Sequence, residues 1–488
     1  MNARTSHVFK PLPLLVLLVA GLVLFLSRPA AQTSNDFPID FVLRDAKIIA
    51  DFMGNPAFVV GDEAVDGDAL FRFYNLRNSR PAWSGTPKTL ANAAIAIRTL
   101  SRADEHGLDR SRYHLEKLAD SDATLSKEDA AIQDLLLTDA IVRYARELRI
   151  GTPSAADPNT DLPDQKFDAV TSLNSALEAE TLAEFLADLA PPHLEYKRLF
   201  AALGHYRKLA DDGTEASERV DQIAANMERW RWLPHRLESR RVMVNAADAT
   251  LEVIDNDQVI LRSKVIVGAA DSPTPIFRAV ATGVTVNPPW NVPASIASNE
   301  FLPRLRSNPN FLLSQNIVLL NGPADDPHGT RIDWNRVSPE AFPYRLQQRP
   351  GAGNALGQLK LEMPNTFSVY LHDTPGKREF ARPERNLSHG CVRVEQILPL
   401  ASVALSGDAM AAAETLTGAV TSGETQYLAL EQPLPVYILY WTAIGNGDGT
   451  VQFRRDVYGR DTRLLRALRT ARIASIAFFT GDCGRSVG

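Results

Sequence analysis

At Arg240 the hydrophobic period of the chain changes, and this switch constrains the fold more than any other feature of the sequence. From about Phe37 to Asp212 apolar residues recur at helical spacing, whereas beyond Arg240 they gather in short β-rich runs. A chain of 488 residues also exceeds what one hydrophobic core supports. The pattern therefore predicts an α+β protein. A mostly helical N-terminal scaffold domain spans 37–216, a bracing helix 217–239, and a β-rich domain 240–425, followed by C-terminal strands over 426–461.

In the helical half, Ser126 and Asp129 suit a capping box. Leu137, Ala140, Ile141, Tyr144 and Leu148 then line one face before Gly151. Further helices fit Thr181 to Ala190, stopped by Pro191-Pro192, and the run from His193 to Gly213. His193 and His205 read as surface or interhelical residues. Val220, Ile223, Met227 and Trp230 share one face of the bracing helix, which Pro234 ends; a Trp-rich stripe at that spacing is a core face.

After Arg240, "RRVMVN", "ATLEVID" and "QVILRSKVIVG" read as strands separated by polar turns, and "FSVYLH" as a strand ending on His372. "PVYILYWTAI" and "TVQFRRDVYG" read as closing strands. The segment 293–353 belongs to a Pro-, Asn- and Gly-rich stretch too long for an ordinary loop, and is expected to be a lid-like insertion. In the tail, 462–488, arginines recur every third residue from Arg463 to Arg472, which reads as a solvated helix face.

The ends and the charge bound the setting. Arg4 and Lys10 precede an apolar run from Leu12 to Leu26, followed by Ala30 and Ala31. Residues 1–31 are therefore expected to be a signal peptide or signal anchor, so the chain is exported and meets the inner membrane only through this segment if uncleaved. A net charge of −6 gives no electrostatic footprint for nucleic acid.

The chain has two cysteines, Cys391 and Cys483. In an exported protein a disulfide is one reading, but a single bridge ending in the C-terminal tail would be a meagre staple. The other reading is chemical. An ordinary thiol is only a few per cent ionised near neutrality, so a nucleophilic cysteine needs a base. His389 lies only two residues before Cys391, which limits its reach. His372 ends a predicted strand, with fifteen residues between it and Ser388, enough for an excursion that returns it beside Cys391. Gly390 permits a tight turn that aims backbone amides at an oxyanion. Asp373 starts out on the opposite strand face, so a backbone carbonyl is expected to orient the imidazole. A zinc site of His372, His389 and Cys391 competes, though it lacks paired ligand spacing.

"HDTPGKREFARPERNLSHGCVRVE" resembles the active-site signature of the L,D-transpeptidases with a YkuD-type catalytic domain: a histidine, a gap of about fifteen residues, then Ser/Thr-His-Gly-Cys. "PGAGNALGQLKLEMPN", "VNPPWNVP" and "NMERWRWLP" are similar to segments of that family's large periplasmic members, and the similarity runs from about Phe73 to Asp461. The resemblance implies that Cys391 is the acyl-forming nucleophile, His372 its general base, and the amides of His389, Gly390 and Cys391 the oxyanion site, with Ser388 in the turn. Arg393 stands where many relatives carry Asn and is expected to bind a stem-peptide carboxylate. Tyr370 and Trp290 are expected in the cleft.

By the same resemblance the catalytic fold is a β-sandwich-like mixed-sheet domain beside a helical scaffold, no metal or organic cofactor is required, and carbapenems are expected to inhibit. The expected function is formation of peptidoglycan crosslinks between stem peptides, through a cysteine acyl-enzyme with release of D-alanine. The chain departs from similar large members at "YRKLADDGTEASERVDQ", which passes from helix to helix without the usual peptidoglycan-binding module. Two rival readings are an L,D-carboxypeptidase, in which water resolves the acyl-enzyme, and a non-catalytic cell-wall-binding protein. The intact His372–Cys391 pair weighs against the second.

Overall fold

The computed structural model describes residues 58–60, 62–119, 127–152, 160–210 and 214–477. The N-terminal segment 1–31, the expected cap Ser126 and Cys483 lie outside the described residues. The chain forms a helical N-terminal part followed by a β-rich part with a mixed sheet.

Among the described residues the longer helices of the first part are α1 (Gly67–Leu76), α2 (Pro87–Leu100), α3 (Lys127–Ile150), α4 (Ala169–Glu178) and α5 (Leu194–Ala210), with shorter ones at Leu115–Ala119 and Leu182–Ala187. Asp66 caps α1 by accepting the Ala69 amide, and Thr86 and Thr89 form a reciprocal capping box on α2. α3 is the central member, and its stripe from Leu137 to Leu148 is buried as its spacing predicts. On the same helix, buried Asp134 accepts the amides of Ala82 and Trp83 (2.9 and 2.8 Å) and the Tyr74 hydroxyl (2.6 Å), fixing the turn before α2. A short hairpin, Phe58–Val60 with Glu63–Val65, precedes α1 and carried no sequence signal strong enough to assign it.

Helix α6 (Thr214–Arg231) holds the two parts together. Ile223, Met227 and Trp230 are buried. Toward the helical part, Glu228 accepts the Thr152 amide at 2.5 Å, and Arg231 pairs with Glu228 while donating to the His106 carbonyl. Toward the β part, Asn226 bonds the Thr442 amide and hydroxyl (both 2.8 Å), and Trp230 stacks on Trp441 with ring centroids 4.3 Å apart.

The sheet uses β1 (Arg240–Asn245), β2 (Thr250–Asp255), β3 (Gln258–Gly268), β4 (Ile276–Val286), β5 (Leu359–Glu362), β6 (Leu371–His372), β7 (Val392–Val394) and β8 (Gln426–Leu439). Their order is β5-β6-β7-β3-β2-β1-β8-β4, and β4 also pairs with β5, so the eight strands close into a ring. Within the ring the β6–β7 and β1–β8 pairs are parallel and the rest antiparallel, and two short strands outside it, Asn386–Ser388 beside β3 and Thr160–Asp161 beside β4, pair in parallel. Alternation turns Val242, Val244, Leu251, Val253, Val265, Val267, Leu371, Val392, Val394, Val436 and Ile438 into the core.

Two expectations need correction. The strand expected over Phe367–His372 shrinks to Leu371–His372. Asn365 takes the chain into a turn, accepting the Phe367 and Val369 amides (3.1 and 3.2 Å), and Ser368 adopts a left-handed φ of 55°. The residues expected as appended C-terminal strands are not appended: β8 lies between β1 and β4 within the ring. Only the hairpin Ala443–Gly445 with Val451–Phe453 stands apart, against α5. The tail begins as a helix, α7 (Arg460–Ala477), with Leu464 packed on Ala225 and Arg469 paired with Asp221 at 2.5 Å.

The insertion 293–353 is a folded cap rather than a loop. It contains short helices, including Leu302–Ser307, and the strands Leu346–Gln348 and Ile317–Leu319, which form a three-stranded sheet with Trp290–Asn291 just before it. Its own core, with Phe301, Leu302, Leu305, Leu312, Trp334 and Leu346, is separate from the main one.

Candidate active site

The parallel pairing of β6 with β7 places Leu371 opposite Val392 and His372 opposite Arg393. The Val392 amide donates to the Tyr370 carbonyl at 2.9 Å, so Cys391, one step before Val392, stands level with Tyr370. Because side chains alternate, Tyr370, His372, Cys391 and Arg393 all face away from the core that receives Leu371, Val392 and Val394. His372 and Cys391 are thus diagonal neighbours on one face of adjacent strands.

The His372 imidazole is buried, and its Nδ1 donates to the Asp373 carbonyl at 2.5 Å. That bond fixes the tautomer and leaves Nε2 without a proton. Burial lowers the His372 pKa to about 4, with the Asp373 carbonyl opposing and the Arg393 charge adding to the drop. The ring is therefore neutral at physiological pH and able to accept a proton. The Asp373 side chain works elsewhere: it accepts the Gln358 amide at 2.9 Å and pairs with Lys377, locking the segment before β5 onto β6.

Cys391 is a free, partly exposed thiol. It donates a weak hydrogen bond to the Ser368 carbonyl at 3.8 Å. Burial pushes its pKa up, while the Tyr370 amide and the charges of Lys360 and Arg393 pull it down. The resting pair is accordingly a neutral thiol and a neutral imidazole.

The turn around Cys391 is built by hydrogen bonds. Gly390 has φ 109°, a conformation other residues rarely adopt. Ser388 Oγ donates to the Cys391 carbonyl at 2.5 Å and accepts the Gly390 amide at 3.2 Å. The Gly390 amide is therefore committed to the turn, which corrects the expectation that it serves the oxyanion. Among the described residues the His389 and Cys391 amides have no protein acceptor and are the candidates for that role. Thr274, fully buried, donates to the Gly390 carbonyl and accepts the Gly268 amide, both at 2.8 Å.

The remaining expected site residues divide. Arg393 pairs with Glu379 at 2.8 Å and stays partly exposed beside the thiol. Tyr370 lies beside Cys391 with its ring under the Lys360 ammonium, 4.0 Å from the centroid, and burial raises its pKa. Trp290 belongs to the cap: it packs edge-on against Phe301 at 6.1 Å. His389 turns its ring to Glu300 of the cap, with Nε2 2.8 Å from Oε1. It thus points away from a shared ligand set, and among the described residues no three His, Cys, Asp or Glu side chains converge to hold a metal.

Sequence reasoning missed Thr274, Lys360, Ser368 and Glu300. Lys360 was legible in principle as the residue opposite His372 across β5 and β6. Thr274 comes from a distant loop and Glu300 from a helical turn of the cap, and only the fold brings them in.

Comparison with known proteins agrees with this architecture. Residues 239–423 match the L,D-transpeptidase catalytic domain, YkuD, and residues 68–203 match the Scaffold domain. The chain thus carries a region that matches the YkuD catalytic domain, preceded by one that matches the scaffold domain. It is 29% identical over 415 residues to the Haemophilus influenzae protein "Putative L,D-transpeptidase", covering 83% of this chain and 81% of that one. Among solved structures it aligns with an L,D-transpeptidase from Mycobacterium smegmatis at 13% identity and a TM-score of 0.18, over 41% of this chain and 58% of the other, less than two thirds of its length.

Proposed function

We propose that the chain is a peptidoglycan L,D-transpeptidase working through a Cys391 acyl-enzyme. Cys391 Sγ attacks the carbonyl at the L-centre of a stem diaminopimelate as His372 Nε2 takes the thiol proton. The amide C–N bond breaks, His372 returns the proton to the departing nitrogen, and D-alanine leaves. An amine from a neighbouring stem then attacks the thioester, forming the crosslink and freeing the thiol.

The observation that carries this reading is the placement of a neutral, buried His372 and a partly exposed Cys391 on one face of adjacent strands. The unengaged amides of His389 and Cys391 support an oxyanion site. Arg393 and Lys360 supply positive charge for a stem-peptide carboxylate. The match of residues 239–423 to the L,D-transpeptidase catalytic domain supports a peptidoglycan substrate. The basic, then apolar, start of the sequence supports export to the periplasm, and a periplasm-dependent reporter fused after Gly488 should be active.

The test is incubation of the purified protein with tetrapeptide-bearing muropeptides, with products weighed by mass spectrometry. Crosslinked dimers with loss of D-alanine are expected. Trimmed monomers alone would indicate a carboxypeptidase, and an unchanged mixture would contradict the enzymatic reading.

A further inference from the structure

Glu300, whose Oε1 lies 2.8 Å from His389 Nε2, links the cap to the turn that carries Cys391. It sits in a π-helical turn, Ala297–Phe301. Such turns are rare and concentrate at functional sites. Ala297 and Phe301 are buried in the core of the cap, and Trp290 packs on Phe301. The turn is anchored from inside, and Glu300 is held at the surface of the cap against the catalytic turn. Both partners remain open to solvent, at 56% for His389 and 36% for Glu300. An exposed pair of this kind adds little net stability, so an incoming charged ligand can replace one member readily.

We propose that Glu300 is a specificity-determining residue for the second half of the reaction, its carboxylate receiving the ammonium group of the acceptor stem. The inference rests on the acyl-transfer function proposed above. The charges that bear on the Cys391 thiol, Lys360 and Arg393, are both cationic and occupy their own carboxylates, Glu362 at 3.0 Å and Glu379 at 2.8 Å, so neither of these acids is free for an ammonium. A carboxylate on the cap side supplies the complement that an ammonium needs. Water carries no charge and gains nothing from Glu300, so the residue steers the acyl-enzyme toward crosslinking and away from hydrolysis.

The proton balance fits this assignment. A primary amine with a pKa of about 10 arrives as its ammonium form, held by Glu300. One proton leaves to solvent before attack. The nitrogen then bonds the thioester carbon, the C–S bond breaks, and the second proton passes through His372 to Cys391 Sγ.

The test compares wild type with Glu300→Gln and Glu300→Asp on tetrapeptide donors. Acyl-enzyme formation is followed by intact-protein mass spectrometry, and the ratio of crosslinked dimer to hydrolysed tripeptide is measured across acceptor concentrations. Glu300→Gln should lose transfer selectively, with the ratio falling and the acceptor KM rising about tenfold, the scale of one charge-assisted hydrogen bond. Glu300→Asp should recover part of that loss. An unchanged ratio in Glu300→Gln would overturn the proposal. An equal fall in dimer and tripeptide would also overturn it, assigning Glu300 to cap closure alone. Absence of any acyl-enzyme in wild type would remove the underlying acyl-transfer reading.

Discussion

Thr274 Oγ1 stands between two backbone groups, accepting the Gly268 amide and donating to the Gly390 carbonyl, both at 2.8 Å. One buried hydroxyl thereby ties the end of β3 to the residue before Cys391. Thr274→Val keeps the shape and leaves both backbone groups unpaired. The expected cost is about 1–3 kcal/mol in denaturant unfolding, and a displaced turn should slow acylation about tenfold or more. Thr274→Ser should restore both.

Gly390 poses a different constraint. A Cβ there would approach nothing closer than the Ser272 carbonyl oxygen at 3.9 Å, so space exists and only the backbone, at φ 109°, objects. Gly390→Ala should fold with a loss of about 1–3 kcal/mol, the cost of an unfavourable backbone region. Its acylation rate should fall further than that of a surface glycine variant such as Gly418→Ala, where nothing lies within 4 Å of an added Cβ.

The buried His372 makes both activity and stability depend on pH. Its folded pKa of about 4 lies below the ordinary 6.5. The neutral base is present above about pH 4, so the acidic limb of the acylation rate should fall near 4 rather than near 6.5. Stability follows the same group: its contribution is complete above pH 6.5 and is lost as pH drops toward 4, where the unfolded chain binds a proton that the folded chain refuses. The shift corresponds to about 3 kcal/mol. Thermal melts of wild type and His372→Gln between pH 7 and 4 should therefore converge as pH falls.

The brace between the two parts is testable at Asp461, which pairs with Arg229 at 2.5 Å and accepts the Thr442 hydroxyl at 2.7 Å, both in buried surroundings. Asp461→Asn leaves Arg229 without its counter-charge, and a loss of about 3–5 kcal/mol is expected. Calorimetry should show a lowered unfolding midpoint, with acylation by the folded fraction at 25 °C unchanged.

These residues mark what the sequence could and could not reveal. The long strands β1, β2 and β3 were legible because their apolar residues alternate or run continuously between polar turns. The stripe on α6 was legible because it repeats at helical spacing. The His372 and Cys391 candidates were legible because cysteine chemistry demands a base, and the gap between them suits a crossover. The short strand β6 was overestimated, since the local tendency of Phe367, Val369 and Tyr370 to extend loses to the Asn365 turn. β8 was set outside the catalytic sheet because pairing with β1 and β4 is decided by topology rather than by local pattern. Thr274 and Glu300 could not be found from sequence, because each meets the site across more than eighty residues of intervening chain.

The most direct measurement is covalent trapping of Cys391 by a carbapenem, whose strained carbonyl takes the place of the donor. Intact-protein mass spectrometry should show one adduct, and digestion should place it on Cys391. Cys391→Ala should abolish it, and His372→Ala should slow it by about 10²–10⁴-fold, the range for losing a general base. An adduct that persists in Cys391→Ala, or a His372→Ala rate equal to wild type, would contradict the mechanism.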